Sequence, residues 1–505
     1  MTDTPPDRCD LLIVGGGING AGIARDAAGR GLSVLLCEQD DLAAHTSSAS
    51  TKLVHGGLRY LEQFDFRLVR KALKEREVLI AAAPHILKPL RFIMPYDSHL
   101  RPAWMIRTGL FLYDHLARRR YLPGSAGVDL QRHRAGHALQ PRYRRGFVYS
   151  DGWADDARLV VLNALDARLR GAAILTRTRC EALAIQQGEW IATLRGARGS
   201  TQVRARAVVN AAGPWAASFL SQATSFAPQH AMRLVKGSHI VVRSLFAHSF
   251  AYIFQNRDKR VLFAIPYERE FTLLGTTDLD FTGDPAHPQI DAAEIDYLCT
   301  MANHYFRQQL KSTDVIWSYS GVRALLEDHA EPAAEVTRDY SLELSSVEPP
   351  LLSVFGGKLT TYRRLAEEAL SKLLPHLKSR APAWTARVPL PGGDLPGGRL
   401  SHLLRLIKRR YPFLPSSLRQ RLTASYGSRV EKILAHATSL AELGKEVLPQ
   451  LYEAEIRYLL REEWACTAQD ILWRRSKLGL HLPAESAGVL DAWLRSQQLP
   501  ESMHH

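Results

Sequence analysis

The spacing of three glycines near the amino terminus limits what this 505-residue chain can fold into. The apolar run DLLIVG leads into Gly15-x-Gly17-x-x-Gly20 and a helix-like segment, and the apolar run SVLLCE follows as a second strand. Glycine permits the tight turn, the close approach of backbone to a pyrophosphate, and the packing of helix on strand. Glu38 ends the second strand, where a carboxylate can accept hydrogen bonds from ribose hydroxyls. The pattern predicts a βαβ unit that binds an adenine dinucleotide.

Distant segments bear on the choice between NAD and FAD, since both satisfy this fingerprint. FAD extends across its domain, so it needs remote chain segments beside its ribityl chain and isoalloxazine ring. Strand-turn-helix patterns recur at 205–216 and 350–370, and the segment that follows Glu38 is rich in small hydroxyl residues and glycine. We therefore favour FAD.

The same recurrence indicates the fold class. Three strand-turn-helix units far apart in sequence predict one parallel sheet built from discontinuous pieces, while the alternating strand-like runs at 236–280 predict an antiparallel sheet. The Gly- and Pro-rich VPLPGGDLPGG is typical of a linker, and a basic, helical composition follows it. We expect an α/β fold with a discontinuous Rossmann-like FAD-binding domain, an antiparallel β-sheet substrate domain and an α-helical C-terminal domain. The expected bounds are 1–80, 150–230 and 318–385 for the FAD-binding domain, 81–149 and 231–317 for the substrate domain, 388–399 for the linker and 400–505 for the C-terminal domain.

The net charge and the cysteines limit which partners and which cellular compartment we expect for this chain. The formal net charge of +14 favours phosphates, nucleic acid or anionic lipid as partners without choosing among them. Five widely spaced cysteines without a Cys-x-x-Cys argue against a disulfide framework and a zinc site, so we expect no metal and a reducing compartment. The polar amino terminus shows no secretory signal, and no run of about 20 apolar residues appears, so membrane association would be at the surface.

Several long blocks resemble successive signatures of the bacterial, aerobic, FAD-dependent sn-glycerol-3-phosphate dehydrogenases. They include GGGINGAGIARDAAGRGLSVLLCE, TSSASTKLVHGGLRYLE and LLSVFGGKLTTYRRLAEEAL, and the resemblance extends into the helical C-terminal region. It implies oxidation of sn-glycerol 3-phosphate to dihydroxyacetone phosphate by hydride transfer to FAD, with the electrons then passed to membrane ubiquinone or menaquinone. Ala212 and Ala324 depart from the Thr and Pro common in the family, which concerns fine positioning rather than the activity.

The chemistry of such a reaction selects candidate residues. Oxidising a secondary alcohol with flavin requires a base for the hydroxyl proton, cations for a phosphate dianion, and positive charge beside the flavin. Arg59 and Arg323 are flanked by apolar residues and suit a phosphate, His239 has the pKa range of a base, and Lys358 follows two glycines at a helix start. From the residues alone, a histidine at the start of an apolar strand is equally a core residue; the resemblance implies that His239, with Lys236 nearby, faces substrate and that Lys358 contacts the substrate phosphate or hydroxyl. The predicted catalytic residues are then His239, Arg59, Arg323 and Lys358, and the predicted substrate-binding residues are Arg59, Tyr60, Lys236, His239, Arg323 and Lys358. Lys358 or a water is the alternative proton acceptor.

The resemblance also extends the set of residues expected to contact FAD. It implies that Lys52 and His55 lie beside the isoalloxazine. The full predicted set is Gly15, Gly17, Asn19, Gly20, Glu38, Thr46, Ser47, Ser50, Lys52, His55, Gly56, Gly57, Ala212, Gly213, Gly357, Lys358, Leu359 and Thr360.

Two basic amphipathic segments could attach the chain to an anionic membrane surface, as a quinone-linked enzyme requires. They are 101–121 and 403–414, which mix aromatic and aliphatic residues with clustered Arg and Lys. We therefore expect a cytoplasmic protein bound peripherally to the inner face of the membrane, and leave open a homodimer. The main alternative is a soluble FAD oxidase of a phosphorylated alcohol or amino acid that uses oxygen. A nucleic-acid-binding flavoprotein is disfavoured, because no RNA-binding module or concentrated basic run appears.

Overall fold

The structure is a computed structural model that describes residues 5–61, 64–97, 102–224, 232–256, 260–326, 339–346 and 348–497, except for the side chain of Arg59. Numbered in chain order, the strands are β1 Arg8–Val14, β2 Val34–Cys37, β3 Leu53–Val54, β4 Leu87–Pro95, β5 Ala126–Asp129, β6 Arg145–Ala154, β7 Ala173–Leu175, β8 Arg179–Gln186, β9 Glu189–Gly196, β10 Gly199–Asn210, β11 Met232–Arg243, β12 Ala251–Gln255, β13 Val261–Tyr267, β14 Phe271–Gly275, β15 Leu279–Asp280, β16 Val315–Leu326, β17 Ser341–Leu344, β18 Leu351–Phe355, β19 Glu446–Leu448 and β20 Leu451–Tyr452. The α-helices are α1 Ile18–Gly29, α2 Phe66–Ala82, α3 Ala103–His115, α4 Asp156–Leu169, α5 Ala216–Ala223, α6 Ala292–Tyr305, α7 Tyr362–Leu373, α8 Leu400–Arg410, α9 Ser416–Tyr426, α10 Val430–Leu434, α11 Glu453–Glu462 and α12 Ser486–Gln497.

The first sheet is built around β1, which pairs in parallel with β2 on one side and β10 on the other. Strand order is β17-β18-β10-β1-β2-β7, and β8 and β9 extend it as an antiparallel pair beside β10. Apolar side chains cover both faces of β1, as a central parallel strand requires. Helices α1, α4 and α7 pack together on one face. Because the chain leaves β1 in one direction for β2 and reaches β10 in the other, the carboxyl end of β1 opens a crevice.

The second sheet runs β15-β11-β14-β13-β12-β4-β6-β3, with β16 paired to β11 and β5 paired to β6. Its strand pairs are antiparallel except for β12 with β4. Helix α6 packs on one face of the sheet and contributes to the apolar core on that face. All of β3, the last five residues of β6 and most of β16 belong to this sheet, although they fall within the ranges 1–80, 150–230 and 318–385 predicted for the FAD-binding domain. A boundary at 318 would divide β16, which pairs with β11 from Val315 to Leu326. Long strands therefore carry the chain from one predicted domain into the other.

The C-terminal helices α8 to α12 enclose their own apolar core. Ion pairs that are almost completely buried fasten this unit to the first sheet and its helices. Arg158 of α4 binds Glu463 through both terminal nitrogens, and Arg475 binds Asp41 with distances of 2.5 and 2.7 Å. Buried charges of this kind are stable only while both partners are present.

This attachment predicts a large effect of breaking one pair. Glu463→Ala leaves the buried guanidinium of Arg158 without its carboxylate and should lower the free energy of unfolding by about 3–5 kcal/mol in urea denaturation. Glu431→Ala removes the partner of Arg410 in an exposed pair and should cost about 0–1 kcal/mol. Equal losses in the two variants would show that the buried pair does not fasten the domain.

Candidate functional site

A cavity of about 470 Å³ lies at the carboxyl end of β1, between the two sheets. Its walls come from the glycine turn after β1, the segment between β2 and β3, the strands β11 and β16, and the turn after β18. Most of the residues predicted from the sequence line it: Gly15, Gly17, Asn19, Glu38, Thr46, Ser47, Ser50, His55, Gly57, Tyr60, Ala212, Gly213, His239, Arg323, Gly357, Lys358, Leu359 and Thr360. Chain segments more than 300 residues apart thus meet around one space.

The glycine turn leaves no room for side chains. Gly15 has a φ of +113°, and a Cβ there would lie 2.4 Å from the carbonyl oxygen of Ala211. A Cβ on Gly20 would lie 1.9 Å from the carbonyl oxygen of Gly15. The start of α1 consequently sits close to β1 and β10, with its first N–H groups at the cavity, a geometry that suits a pyrophosphate.

Two polar side chains beside this turn fit a dinucleotide. Glu38 accepts hydrogen bonds from the N–H groups of Gly16 at 2.6 Å and Asp40 at 2.9 Å, and burial raises its pKa against their influence. Asn19 donates to the carbonyl of Gly356, while its Oδ1 is buried without a partner among the described residues. An orphaned acceptor on a cavity wall is a place where a ligand can donate a hydrogen bond.

The nucleotide end of the cavity has lining residues that the sequence analysis missed. They include Thr178 and Arg179 before and within β8, and Trp215 and Phe219 around α5. His45 contacts the ring of Trp215 edge to face, with centroids 4.8 Å apart. The aromatic residue directly after NAAGP was the available signal for this wall.

Four predicted residues lie outside the cavity lining. Lys52 is buried, with its Nζ 2.8 Å from both carboxylate oxygens of Asp156. The Nζ of Lys236 lies 2.8 Å from Glu294 and donates to the carbonyl of Gln289. Buried ammonium groups need such partners, which explains why these two lysines turn away from the space that a substrate would occupy.

The other two residues outside the lining are glycines that pack within the protein. Gly20 packs on Gly15, and the N–H of Gly56 donates to the hydroxyl of Tyr113 at 2.8 Å. The side chain of Arg59 lies outside the described part of the structure.

His239 is the buried titratable group at the other end of the cavity. It lies on β11 opposite Gly275 of β14, whose missing side chain makes room for the ring: a Cβ there would be 2.1 Å from the imidazole Cδ2. Its Nε2 is 2.9 Å from Thr51 Oγ1. Burial lowers the pKa of His239 well below its ordinary value, and Arg323 and Lys52 add to the effect. The imidazole is therefore neutral at pH 7 and can accept a proton.

Two cations face the same space. Arg323 of β16 pairs with Asp278, and its Nη2 lies 3.2 Å from Thr276 Oγ1. The Nζ of Lys358 lies 4.2 Å from the ring centroid of Tyr60. Asp278 and Thr276 were not among the predicted site residues, although both lie in FTLLGTTD, within the strand-like runs at 236–280. The site therefore combines a dinucleotide cradle, a neutral buried imidazole and positive charge, an arrangement typical of a flavin-dependent oxidoreductase.

Comparisons with known proteins agree with this geometry. Residues 10–363 match the family model described as FAD dependent oxidoreductase, and residues 383–495 match the C-terminal domain of alpha-glycerophosphate oxidase. A "Glycerol-3-phosphate dehydrogenase" of Pseudomonas aeruginosa is 52% identical over 97% of this chain and 95% of its own length. An "Aerobic glycerol-3-phosphate dehydrogenase" of Escherichia coli is 50% identical over 96% of this chain and 97% of its own length. A "D-erythritol 1-phosphate dehydrogenase" of Brucella abortus is 47% identical over 98% and 99%.

The fold comparison gives the same result. A glycerol-3-phosphate dehydrogenase from Bacillus halodurans, solved in complex with FAD, superimposes with a TM-score of 0.77 at 28% identity, covering 97% of this chain and 90% of that one. The chain belongs to the FAD-dependent oxidoreductases, in the group of the aerobic glycerol-3-phosphate dehydrogenases. The predicted fold class and the choice of FAD are confirmed. The glycine cradle and the unpartnered Oδ1 of Asn19 fit this cofactor.

The cradle predicts that a single methyl group abolishes FAD binding. Gly20→Ala places a carbon against the carbonyl of Gly15, so purified protein should carry less than about a tenth of the wild-type flavin, measured as the flavin-to-protein absorbance ratio after gel filtration. Gly488→Ala is the control, because a Cβ there meets nothing within 4 Å. Full flavin content in Gly20→Ala would contradict the placement of the pyrophosphate at this turn.

Proposed function

We propose that the protein oxidises sn-glycerol 3-phosphate to dihydroxyacetone phosphate with FAD. The observation that carries the proposal is the single cavity that joins the glycine cradle to neutral His239 and to the cations Arg323 and Lys358. The names of relatives at 52% and 50% identity support the choice of substrate.

The side chains divide the reaction between them. FAD, when bound, supplies the acceptor for the hydride that leaves the substrate carbon. His239 takes the proton of the substrate hydroxyl, so that the C–O bond becomes a carbonyl as the C–H bond breaks. Arg323 and Lys358 bind the phosphate, and Asp278 and Thr276 hold the guanidinium of Arg323 in one orientation at the cavity wall.

Removal of the base should slow chemistry more than binding. His239→Gln should reduce the rate of flavin reduction by about 10²–10⁴ in anaerobic stopped-flow experiments, while substrate affinity changes little. Because the pKa of His239 is lowered, the base form persists below pH 6.5, and the wild-type rate should fall only at more acidic pH. An unchanged rate in His239→Gln at saturating substrate would assign proton transfer to Lys358 or a water instead.

The Brucella abortus relative makes D-erythritol 1-phosphate the second substrate to test. Both compounds carry a phosphate, so kcat/KM for each, with glycerol as the uncharged control, separates the alternatives. We expect glycerol 3-phosphate to be preferred and glycerol to be poor.

A substitution of Arg323, the proposed phosphate ligand, can be tested with the same phosphorylated and neutral substrates. Arg323→Ala should cost about 2–5 kcal/mol in kcat/KM for glycerol 3-phosphate, because it removes one partner of a desolvated charge pair, and far less for glycerol. Equal losses for the phosphorylated and the neutral substrate would show that Arg323 does not bind phosphate.

We further propose that the electrons pass to ubiquinone or menaquinone at the inner face of the cytoplasmic membrane. None of the helices in the described residues combines the length and apolar character needed to cross a bilayer. Helix α3 instead exposes large apolar side chains, with Trp104 68% and Phe111 54% exposed, beside Met105 and Leu112. The clustered arginines 118–120 follow α3, and such a combination suits an anionic lipid surface.

The structure separates the two segments that the sequence analysis considered. In 403–414, Leu403, Ile407 and Leu414 are buried in the C-terminal core, and Leu406 and Phe413 pack against that core. Its apolar face is therefore already occupied within the protein. This favours 101–121, which contains α3, as the attachment surface.

The cavity wall near α3 supports an apolar electron acceptor. Phe92, Ile253, Val261 and Phe263 line the cavity, and they share an apolar cluster with Leu110 on the inner face of α3. Apolar side chains thus connect the cavity wall with the inner face of α3, which suits a quinone held in lipid at this surface. An oxygen-using oxidase would need no such surface.

Membrane attachment predicts a measurable difference between the two segments. Trp104→Ala combined with Phe111→Ala should lower partitioning into anionic liposomes at low salt by about tenfold, because two interfacial side chains are lost. Phe413→Ala should leave partitioning unchanged. Wild-type protein that stays in the supernatant, turns over rapidly with oxygen alone and releases peroxide would support the soluble oxidase.

A further inference from the structure

The imidazole ring of His239 has a hydrogen-bonding neighbour at its edge and an aromatic ring stacked on its face. Thr51 binds Nε2 at 2.9 Å, and Tyr319 stacks on the imidazole with ring centroids 4.8 Å apart and an interplanar angle of 14°. His239 and Tyr319 lie directly opposite each other on the antiparallel strands β11 and β16, so their side chains share one face of the sheet. The hydroxyl of Tyr319 donates to the carbonyl of Ser50 at 2.8 Å, which fixes its ring.

The stack continues away from the cavity into the C-terminal domain. Trp317, two residues before Tyr319 on the same face of β16, lies 5.0 Å from it between centroids. Trp473 stacks on Trp317 with centroids 4.4 Å apart and an angle of 21°. Trp473 belongs to the π-helical segment Asp470–Arg475, so a side chain from the C-terminal domain stands at the end of a row of rings that begins at His239.

The segment that carries Trp473 is anchored on both sides of the indole. Arg474 and Arg475 bind Asp41 at distances from 2.5 to 2.7 Å, and Asp470 binds Arg177 at 2.6 Å. Gly479 allows the chain to pass close to the ring, since a Cβ there would lie 2.5 Å from the indole. The half-buried indole is therefore held in place against Trp317 of β16.

We propose that Trp473 is a positioning residue for His239, and that the C-terminal domain supports the imidazole through the rings of Trp317 and Tyr319. The inference rests on the proposed role of His239 as the base. It assigns to the C-terminal domain a contribution to the reaction, although that domain supplies no residue to the cavity lining among the described residues.

Burial and the charges around His239 set its pKa, so loss of the ring support should change the pH dependence of flavin reduction. Arg323 from β16 and Lys52 from the segment before β3 act on the imidazole, and Lys52 also lies 5.0 Å from the ring centroid of Tyr319 while pairing with Asp156. Burial is the largest cause of the lowered pKa of His239. A looser row of rings admits water, so the pKa of His239 should rise towards its ordinary value and the acid decline of flavin reduction should move to higher pH.

The test compares substitutions at Trp473 with one at a matched tryptophan, using holoenzyme in anaerobic stopped-flow experiments from pH 5 to 9. Trp473→Leu should reduce the flavin reduction rate about tenfold at pH 6 and about twofold at pH 8, with flavin content unchanged. Trp473→Phe keeps a ring in the stack and should restore most of the rate. Trp493→Leu is the control, since Trp493 packs against the same C-terminal core as Trp473 but is not among the stacked rings Trp473, Trp317 and Tyr319.

Five outcomes are distinguishable. The positioning role of Trp473 would be overturned if the pH profile of Trp473→Leu matched that of the wild type. It would also be overturned if Trp493→Leu shifted the pH profile as far as Trp473→Leu does. Equal loss of rate at every pH would also overturn it, because the titration of His239 would then not depend on the indole of Trp473. If His239→Gln leaves the acid decline in place, the role of His239 fails instead. Additive effects in the double variant Trp473→Leu with His239→Gln would likewise contradict the coupling.

Discussion

The approach of Gly20 to the carbonyl oxygen of Gly15 is the contact on which the arrangement of the site depends. It brings α1 against the end of β1 and β10, and with it the N–H groups that suit a pyrophosphate. From that point the length of FAD requires the rest of its binding surface to come from elsewhere in the chain. The segment between β2 and β3 and the turn after β18 supply it, which explains why the domain is assembled from discontinuous pieces.

Burial controls the chemistry at the opposite end of the cavity. The same apolar surroundings that keep the imidazole of His239 neutral would penalise any unpaired cation nearby. Lys52 and Lys236 are accordingly paired with Asp156 and Glu294, while Arg323 keeps Asp278 at the cavity wall. Lys52 and Lys236 thus lie with their carboxylates outside the cavity lining, whereas Arg323 and Lys358 stay on its wall, where a phosphate can contact them.

The sequence predicted those parts of the site that local patterns encode. Glycine spacing and strand periodicity identified the cradle, the fold class and FAD, and the resemblance directed attention to His239 and Lys358. Local sequence patterns did not predict that Lys52 and Lys236 would lie outside the cavity lining, because their carboxylate partners lie 104 and 58 residues further along the chain. Nor could they find Gly275, whose importance is the space it leaves beside a ring on another strand. The row of rings from Trp473 to His239 depends on strand register and on how the C-terminal domain docks, and neither is encoded in a local motif.

The central claim is that this cavity lets glycerol 3-phosphate reduce the bound FAD, and an anaerobic titration tests it most directly. Stepwise addition of glycerol 3-phosphate should bleach the flavin absorbance and produce one dihydroxyacetone phosphate per flavin reduced. If the flavin stays oxidised with excess glycerol 3-phosphate while dithionite still reduces it, the proposed substrate is wrong.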